Sequence, residues 1–482
     1  MTPGKRNSRL VMCALLLAAG AAMAAAGQQP AERSIGGEIG SVRWREDYSF
    51  LRDPATPLTW YERLKFLPLD AAGTAYLTLG AELRERVESY DHSFFGLPGG
   101  RTFTAAATRL LADGDLHVGR RFRAFVELGS FVETGRRPAE RPFDRGDLEL
   151  QQGFLDLAAV DRRGERLTFR LGRQELPLGS GRLVSLRDAA NVRLTFDAAK
   201  LIWTRGDDTL EAFAGRPVES KLGVFSSVPS GRESFWAVDW TAPHAVAGRA
   251  SGELFYLGRR LLAASYPQGT ARELRHTLGG RIWDREPARD YSVQASYQFG
   301  SFGAARIGAW GVASDTGATI ASLPWRPRLA MRADVASGDR SQRSQRSQRN
   351  PRDRVLETFE APYPALNYFS EASIFAPANA YDLHPYLELR PAAAVTAELG
   401  AVFLWRLHRE DAIYRAGGGI LVPPGVSGSG FVTAIVQLDL TWRLSPFVAL
   451  QAAFVDAPAG TLIRNAGGKD TTFFLAGADL RF

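Results

Sequence analysis

The chain has 482 residues, a formal net charge of +7 and a mean hydropathy of −0.16. That balance is too mild for a nucleic-acid protein, which carries a dense basic patch. The one cysteine, Cys13, lies in the N-terminal apolar run, so the rest of the chain has neither disulfides nor thiolate metal sites.

The front reads as a secretory signal. Lys5, Arg6 and Arg9 precede an apolar run, Leu10 to Ala22, which is followed by small-residue cleavage patterns ending at Ala24 and Ala26. Residues 1–26 are therefore expected to be removed, and the run is short for a membrane helix. No later apolar run reaches 18 residues. Residues 27–73 form a lead-in, periplasmic or plug-like, in which Trp44, Tyr48, Phe50, Trp60 and Phe66 predict packing.

From Thr74 to the end the hydropathy period is two, the period of a strand with unlike faces. In the first such stretch Leu77, Leu79, Ala81 and Leu83 alternate with Thr78, Glu82, Arg84 and Arg86; Glu85 breaks the pattern, as expected of a residue beyond the hydrocarbon edge. In a water-soluble protein the apolar face would need a second layer, whereas lipid covers it in a membrane barrel. Eighteen segments follow this rule: 74–90, 104–118, 121–132, 148–160, 165–175, 192–204, 208–215, 234–242, 249–258, 272–285, 289–299, 303–314, 327–338, 381–390, 393–408, 430–444, 446–456 and 470–482. Their connections alternate long and short, as extracellular loops and periplasmic turns do, with one reversed pair, 300–302 and 315–326. The fold class predicted is all-β: a single transmembrane antiparallel barrel of about 18 strands over residues 74–482, of bacterial outer-membrane type.

Loop 339–380 repeats Ser-Gln-Arg three times from Ser341 to Arg349. This low-complexity stretch reads as a solvated loop tip, its arginines offering contact to lipopolysaccharide. The last strand alternates Phe474, Ala476, Ala478, Leu480 and Phe482. A terminal aromatic on that pattern is the kind of signal barrel-assembly machinery reads, and the strand has to pair with the first to abolish the sheet edge.

Arginine supplies 54 of the 59 basic residues, the lysines being Lys5, Lys65, Lys200, Lys221 and Lys469. Guanidinium binds carboxylate as a bidentate fork. The alternation places Arg84, Arg86, Arg109, Arg121, Arg123, Arg170, Arg193, Arg275, Arg281, Arg332 and Arg390 on inward faces, with Glu82, Asp113, Glu127, Gln174, Asp197, Asp334 and Glu388 among them. These are the candidate pore-lining residues. Their mixed signs fit either an ion-pair network in the wall or a path for an anion. The six histidines, His92, His117, His244, His276, His384 and His408, stand singly without metal-ligand spacing or a nearby nucleophile motif, so neither metal, cofactor nor catalysis is expected.

Three stretches resemble the alginate-export family of barrels. They are Glu46 to Pro54 with Trp60 and Leu64 to Leu69; Tyr76 to Arg86; and Leu171-Gly172-Arg173-Gln174-Glu175-Leu176 through Gly181-Arg182-Leu183-Val184-Ser185 to Asn191-Val192-Arg193 and Phe196-Asp197. The chain departs from the family pattern at Ala81, Ala190 and Ala199, where Gly, Pro and Gly are usual. The resemblance implies an 18-stranded barrel with an arginine-rich lumen that exports an anionic polysaccharide. An uptake porin for small carboxylates or sugar acids fits the same residues, and a lipid-modifying barrel enzyme is the remote alternative. Expected partners are outer-membrane lipid and lipopolysaccharide, the barrel-assembly machinery, an anionic saccharide and periplasmic export proteins, with no nucleic acid.

Overall fold

The computed structural model describes residues 42–53, 59–139, 141–340 and 355–482; the expected signal peptide and the Ser-Gln-Arg repeats lie outside them. The dominant element is a closed antiparallel barrel of 18 strands. In chain order they are β1 (Ala75–Asp91), β2 (Phe103–Val118), β3 (Phe122–Thr134), β4 (Gly146–Arg162), β5 (Glu165–Gln174) and β6 (Phe196–Arg205). Next come β7 (Asp208–Glu219), β8 (Glu233–Val246), β9 (Ala250–Tyr266), β10 (Gly269–Arg285), β11 (Arg289–Phe302) and β12 (Ala305–Thr319). The last six are β13 (Arg328–Ala336), β14 (Ala380–Ala392), β15 (Val395–Arg406), β16 (Phe431–Ser445), β17 (Val448–Ala457) and β18 (Thr471–Arg481). Among the described residues the helices are short, α1 (Trp60–Lys65) and α2 (Thr461–Asn465) being the two of α type, and no helix is long and apolar enough to cross a membrane.

Each strand predicted from the alternation is present. Burial alternates along them, as in β1, where Thr78, Glu82, Arg84 and Arg86 are buried while Val87 is 43% exposed. The outer face is apolar and open: Leu157 is 55% exposed, Leu254 59% and Leu171 67%. Leaving such a side chain in water forgoes roughly 1.5–3 kcal/mol, so a wall built this way belongs in lipid. The seam closes between β1 and β18, in register from Glu82 opposite Arg481 to Asp91 opposite Thr472. Ala81 and Phe482 then exchange two backbone hydrogen bonds of 3.1 Å.

Connections sort by length as expected. Turns such as 163–164, 206–207 and 393–394 close one end, while 175–195, 337–379 and 407–430 cross or cap the other. By the usual asymmetry of such barrels, the short-turn end is periplasmic. The reversed pair is real, since β11 and β12 meet in a tight turn and 320–327 is the long periplasmic connection. One expected strand is longer than the alternation suggested. The segment read as 249–258 continues to Tyr266, past a register shift after Leu261, as a hairpin with β10.

Candidate transport path

The centre of the lumen is a charge cluster on the inner faces of β1, β2 and β18. Glu82 has no exposed side-chain surface and takes Arg109 at 2.7 Å, Arg481 at 3.1 Å and Arg193 at 3.4 Å. Arg109 and Arg193 also hold Asp188, at 2.8 and 2.6 Å. Arg84 donates to the Asp188 and Ala190 carbonyls at 2.7 and 2.9 Å, and Arg86 to the Ala189 carbonyl at 3.3 Å. Burial pushes the Asp188 carboxyl up, but Arg109, Arg193 and Arg84 outweigh it and hold it well below the usual carboxylate range. Its side chain is nevertheless 45% exposed, so it stands in an open part of the lumen.

Two loops reach across the barrel. Loop 175–195 leaves β5 and touches the far wall, where Ser180 donates to Gln294 at 2.9 Å and Arg182 to Asp334 at 2.6 Å. It returns along β1 and β2, where Asn191 donates to the Thr108 carbonyl at 2.9 Å. Loop 337–379 meets it midway: Ser185 and Tyr363 donate backbone hydrogen bonds to the Tyr363 and Leu183 carbonyls, both 2.8 Å. Leu176, Val184, Phe196, Phe235, Phe359 and Tyr363 form an apolar core inside the barrel. Glu360 is anchored by Arg259 at 2.6 Å and accepts from Tyr266. Burial raises the Glu360 carboxyl, but Arg259 and Arg275 win and pull it down to about 2. Arg187, on the same crossing, has left-handed backbone (φ 54°) and no ion pair or side-chain hydrogen bond among the described residues; its guanidinium lies 5.5 Å from the Tyr363 ring. It is a half-buried cation of the crossing that no carboxylate holds among the described residues.

The lead-in folds into the periplasmic mouth. Trp44 packs on Phe125 and Phe154, Arg123 donates to the Trp44 carbonyl at 2.7 Å, and Arg170 lies 4.7 Å from the indole. Arg43 bridges Asp113 (3.4 Å) and Glu46 (2.8 Å) and donates to the Phe482 carbonyl. Gly80 makes room for this latch, since a Cβ there would stand 2.3 Å from the Arg43 guanidinium and 2.6 Å from Asp113. Thr59 and Glu62 form a capping box that starts α1, and α1 delivers Lys65, fully buried, to the Leu79 carbonyl at 2.8 Å. Beside it a cavity of about 570 Å³ opens, lined by Arg45, Arg52, Arg120, Arg123 and Arg166 against Glu46 and Asp47.

Burial and the neighbouring Arg43 lower the Lys65 ammonium to about 8, against the pull of Glu46 and Asp113. Released, the same lysine titrates near 10.4. Between about pH 8 and about pH 10.4 the released form therefore binds more protons, so docking strengthens as pH rises through that window. Protection of the lead-in from trypsin should grow between pH 8 and pH 10 and lose that dependence in Lys65→Met. A pH-independent wild type would refute this.

Most of the residues expected to line the pore lie on inner faces as matched pairs. Arg123 is bidentate to Asp115 and Arg170 to Asp156, all at 2.7 Å. Arg281 binds Glu253, Arg275 binds Glu273, Arg332 binds Asp315 and Glu398, and Arg390 binds Glu388 at the rim. Glu127 is buried against Gln152, and Gln174 donates to two backbone carbonyls. Three expectations are corrected. Arg121 sits in the turn below β3, exposed at the rim and not on the wall. Arg193 belongs to the crossing loop, because β6 starts only at Phe196. Asp197 faces outward, bound to Arg173 at 2.7 Å, since the buried Phe196 takes the inner position and a one-residue change of phase reverses the faces. Asp188, Arg187, Glu360 and the Arg43–Lys65 latch were missed; they sit on loops or, for Arg43 and Lys65, on short helices, where strand periodicity says nothing.

The family described as alginate export matches residues 75–476 of the chain. No curated protein sequence matches it. In fold it is similar to Pseudomonas aeruginosa OccK11 (OpdR), at 14% identity over 84% of this chain and 96% of that one, TM-score 0.51. It is also similar to P. aeruginosa OccK2 (OpdF) in complex with glucuronate (10% identity, 84% and 96% covered, TM-score 0.52) and to Acinetobacter baumannii OccAB1 (11%, 84% and 96%, 0.52).

Proposed function

We propose that this chain, which belongs to the alginate-export family, is an outer-membrane channel that conducts an acidic polysaccharide outward by diffusion. The observation that carries the direction is the vestibule at the short-turn end, where five arginines face two lining carboxylates. Asp115 holds Arg123, and Asp161 is shared by Arg120 and Arg166, so the vestibule keeps a small positive excess, and a charged mouth raises the local concentration of an opposite-sign solute. Inside, Arg187 offers the next cationic contact, beside the Asp188 cluster. Residues 1–26, read as a leader, would deliver the chain to the periplasm.

A second reading is favoured by the crossing loops, whose packed core fills part of the lumen. The fold likeness to a structure holding glucuronate, a single sugar acid, points the same way. On that reading the channel takes up carboxylates, using the same cations.

Conductance in planar lipid separates the two. Uronate oligomers of increasing length, added on the short-turn side, are expected to block more deeply with length, and less from the other side. Changing Arg45, Arg52, Arg120 and Arg166 together to Gln should weaken that block on the order of tenfold, at about 0.3–0.4 kcal/mol for each exposed charge. Block by monomers alone, or equal from both sides, would favour uptake.

A further inference from the structure

Most inward arginines in this barrel have carboxylates; four outward ones towards the extracellular end of β7 to β12 do not. Arg216, Arg260, Arg272 and Arg306 are exposed on β7, β9, β10 and β12, and among the described residues none of their guanidinium groups makes an ion pair or hydrogen bond. The register sets three of them at one height: Asp197 faces Arg216, Phe235 faces Gly215, Ser234 faces Arg260, Arg260 faces Leu274, Leu274 faces Ser301 and Ser301 faces Arg306. Arg272 stands one step higher on the same face.

That height has a meaning. From Ala250 at the periplasmic foot of β9 to Arg260 is about the 9–11 residues a tilted strand uses to cross the hydrocarbon. The arginines therefore stand at the head-group level of the outer leaflet. Directly beneath them lies an outward aromatic cluster. Trp236 donates to the Tyr256 hydroxyl at 3.3 Å, Tyr256 and His276 are hydrogen-bonded at 2.7 Å, and His276 stacks on Phe299 at 5.1 Å. Such rings mark the membrane–water interface. On the other side of the barrel, β1 carries Glu85 about as many residues above its foot at Ala75, hydrogen-bonded by Thr108 at 2.9 Å. Within the patch the one outward carboxylate beside Arg216, Asp197, is already held by Arg173 at 2.7 Å.

We infer that the β7–β12 face binds a phosphorylated glycolipid of the outer leaflet, its phosphates on Arg216, Arg260, Arg272 and Arg306 and its acyl chains on the aromatic wall below. Guanidinium is the side chain of choice for phosphate. Strands lie about 4.8 Å apart, so Arg216 and Arg260 are separated by about 10 Å and Arg260 and Arg306 by about 15 Å. That spread suits two phosphates carried on one broad sugar head group better than a single phosphodiester.

The test uses the full-length barrel refolded in neutral detergent and titrated by native mass spectrometry. The probes are bisphosphorylated lipid A, its dephosphorylated form, dioleoyl phosphatidylglycerol and sodium phosphate. Wild type is expected to hold bisphosphorylated lipid A at least tenfold more tightly than the variant with all four arginines changed to Gln. Dephosphorylated lipid A and phosphatidylglycerol should bind wild type no better than that variant binds lipid A. If the fourfold variant loses heat-modifiable folding, Arg260→Gln alone is used and should lose at least threefold. The inference is overturned if the variant binds within twofold of wild type, if either control lipid matches lipid A, or if millimolar phosphate displaces it. Channel conductance should not change, because these side chains face away from the lumen.

Discussion

Replacing Glu82 by Gln is expected to cost about 3–5 kcal/mol of barrel stability, the range for removing one partner from a buried ion pair. The substitution is nearly isosteric, so the loss is electrostatic. Glu82 is the only carboxylate among the described residues that touches Arg109, Arg193 and Arg481 together. Without it, Arg109 and Arg193 are left sharing Asp188, and Arg481 keeps only its 3.3 Å contact with Asp479. The measurement is the urea midpoint of the refolded barrel in detergent, followed by the heat-modifiable band. Glu388→Gln, which removes the 3.0 Å partner of the largely exposed Arg390, is the control and should stay within about 1 kcal/mol of wild type. Adding Arg193→Gln to Glu82→Gln should recover part of the loss. If Glu82→Gln lies as close to wild type as the control, water in the lumen screens the cluster and the central network is not structural.

Deleting Phe482 is expected to remove most folded barrel from the outer membrane while export to the periplasm continues. The residue gives the seam two backbone bonds to Ala81 and supplies the carbonyl that Arg43 grips. Two bonds at about 1 kcal/mol each amount to roughly a thirtyfold shift in equilibrium. If assembly machinery reads the terminal strand, on which Phe474 and Leu480 face the same way, a kinetic loss is expected to add to this. Wild-type amounts of heat-modifiable barrel would refute this. An equal loss in Phe482→Tyr would show that the aromatic ring is not what is recognised.

The wall was legible because its physics is local. A side chain in a strand faces lipid or lumen by parity alone, so Thr78, Glu82, Arg84 and Arg86 could be assigned from one stretch of sequence. The reading failed where parity loses its reference. Val192 to Asp197 alternates well, yet four of those residues are loop, and the strand begins in the opposite phase with Phe196 inward. What fills the lumen was not legible. Asp188 and Arg187 are ordinary loop residues in sequence, and their partners, Arg109 and Tyr363, lie far along the chain. The aromatics of the lead-in did announce packing, but not that Trp44 would pack on Phe125 and Phe154.

The two backbone bonds between Ser185, Leu183 and Tyr363 have a mechanical consequence. Loop 175–195 is rooted beside β5 and loop 337–379 beside β13, on opposite arcs of the barrel, yet they share a small ladder in mid-lumen. Neither can swing aside while the other stays, unless that ladder breaks first. Such a crossing behaves as a tie-beam, so a solute that displaces one loop displaces both, and the path widens in a single step and not by degrees.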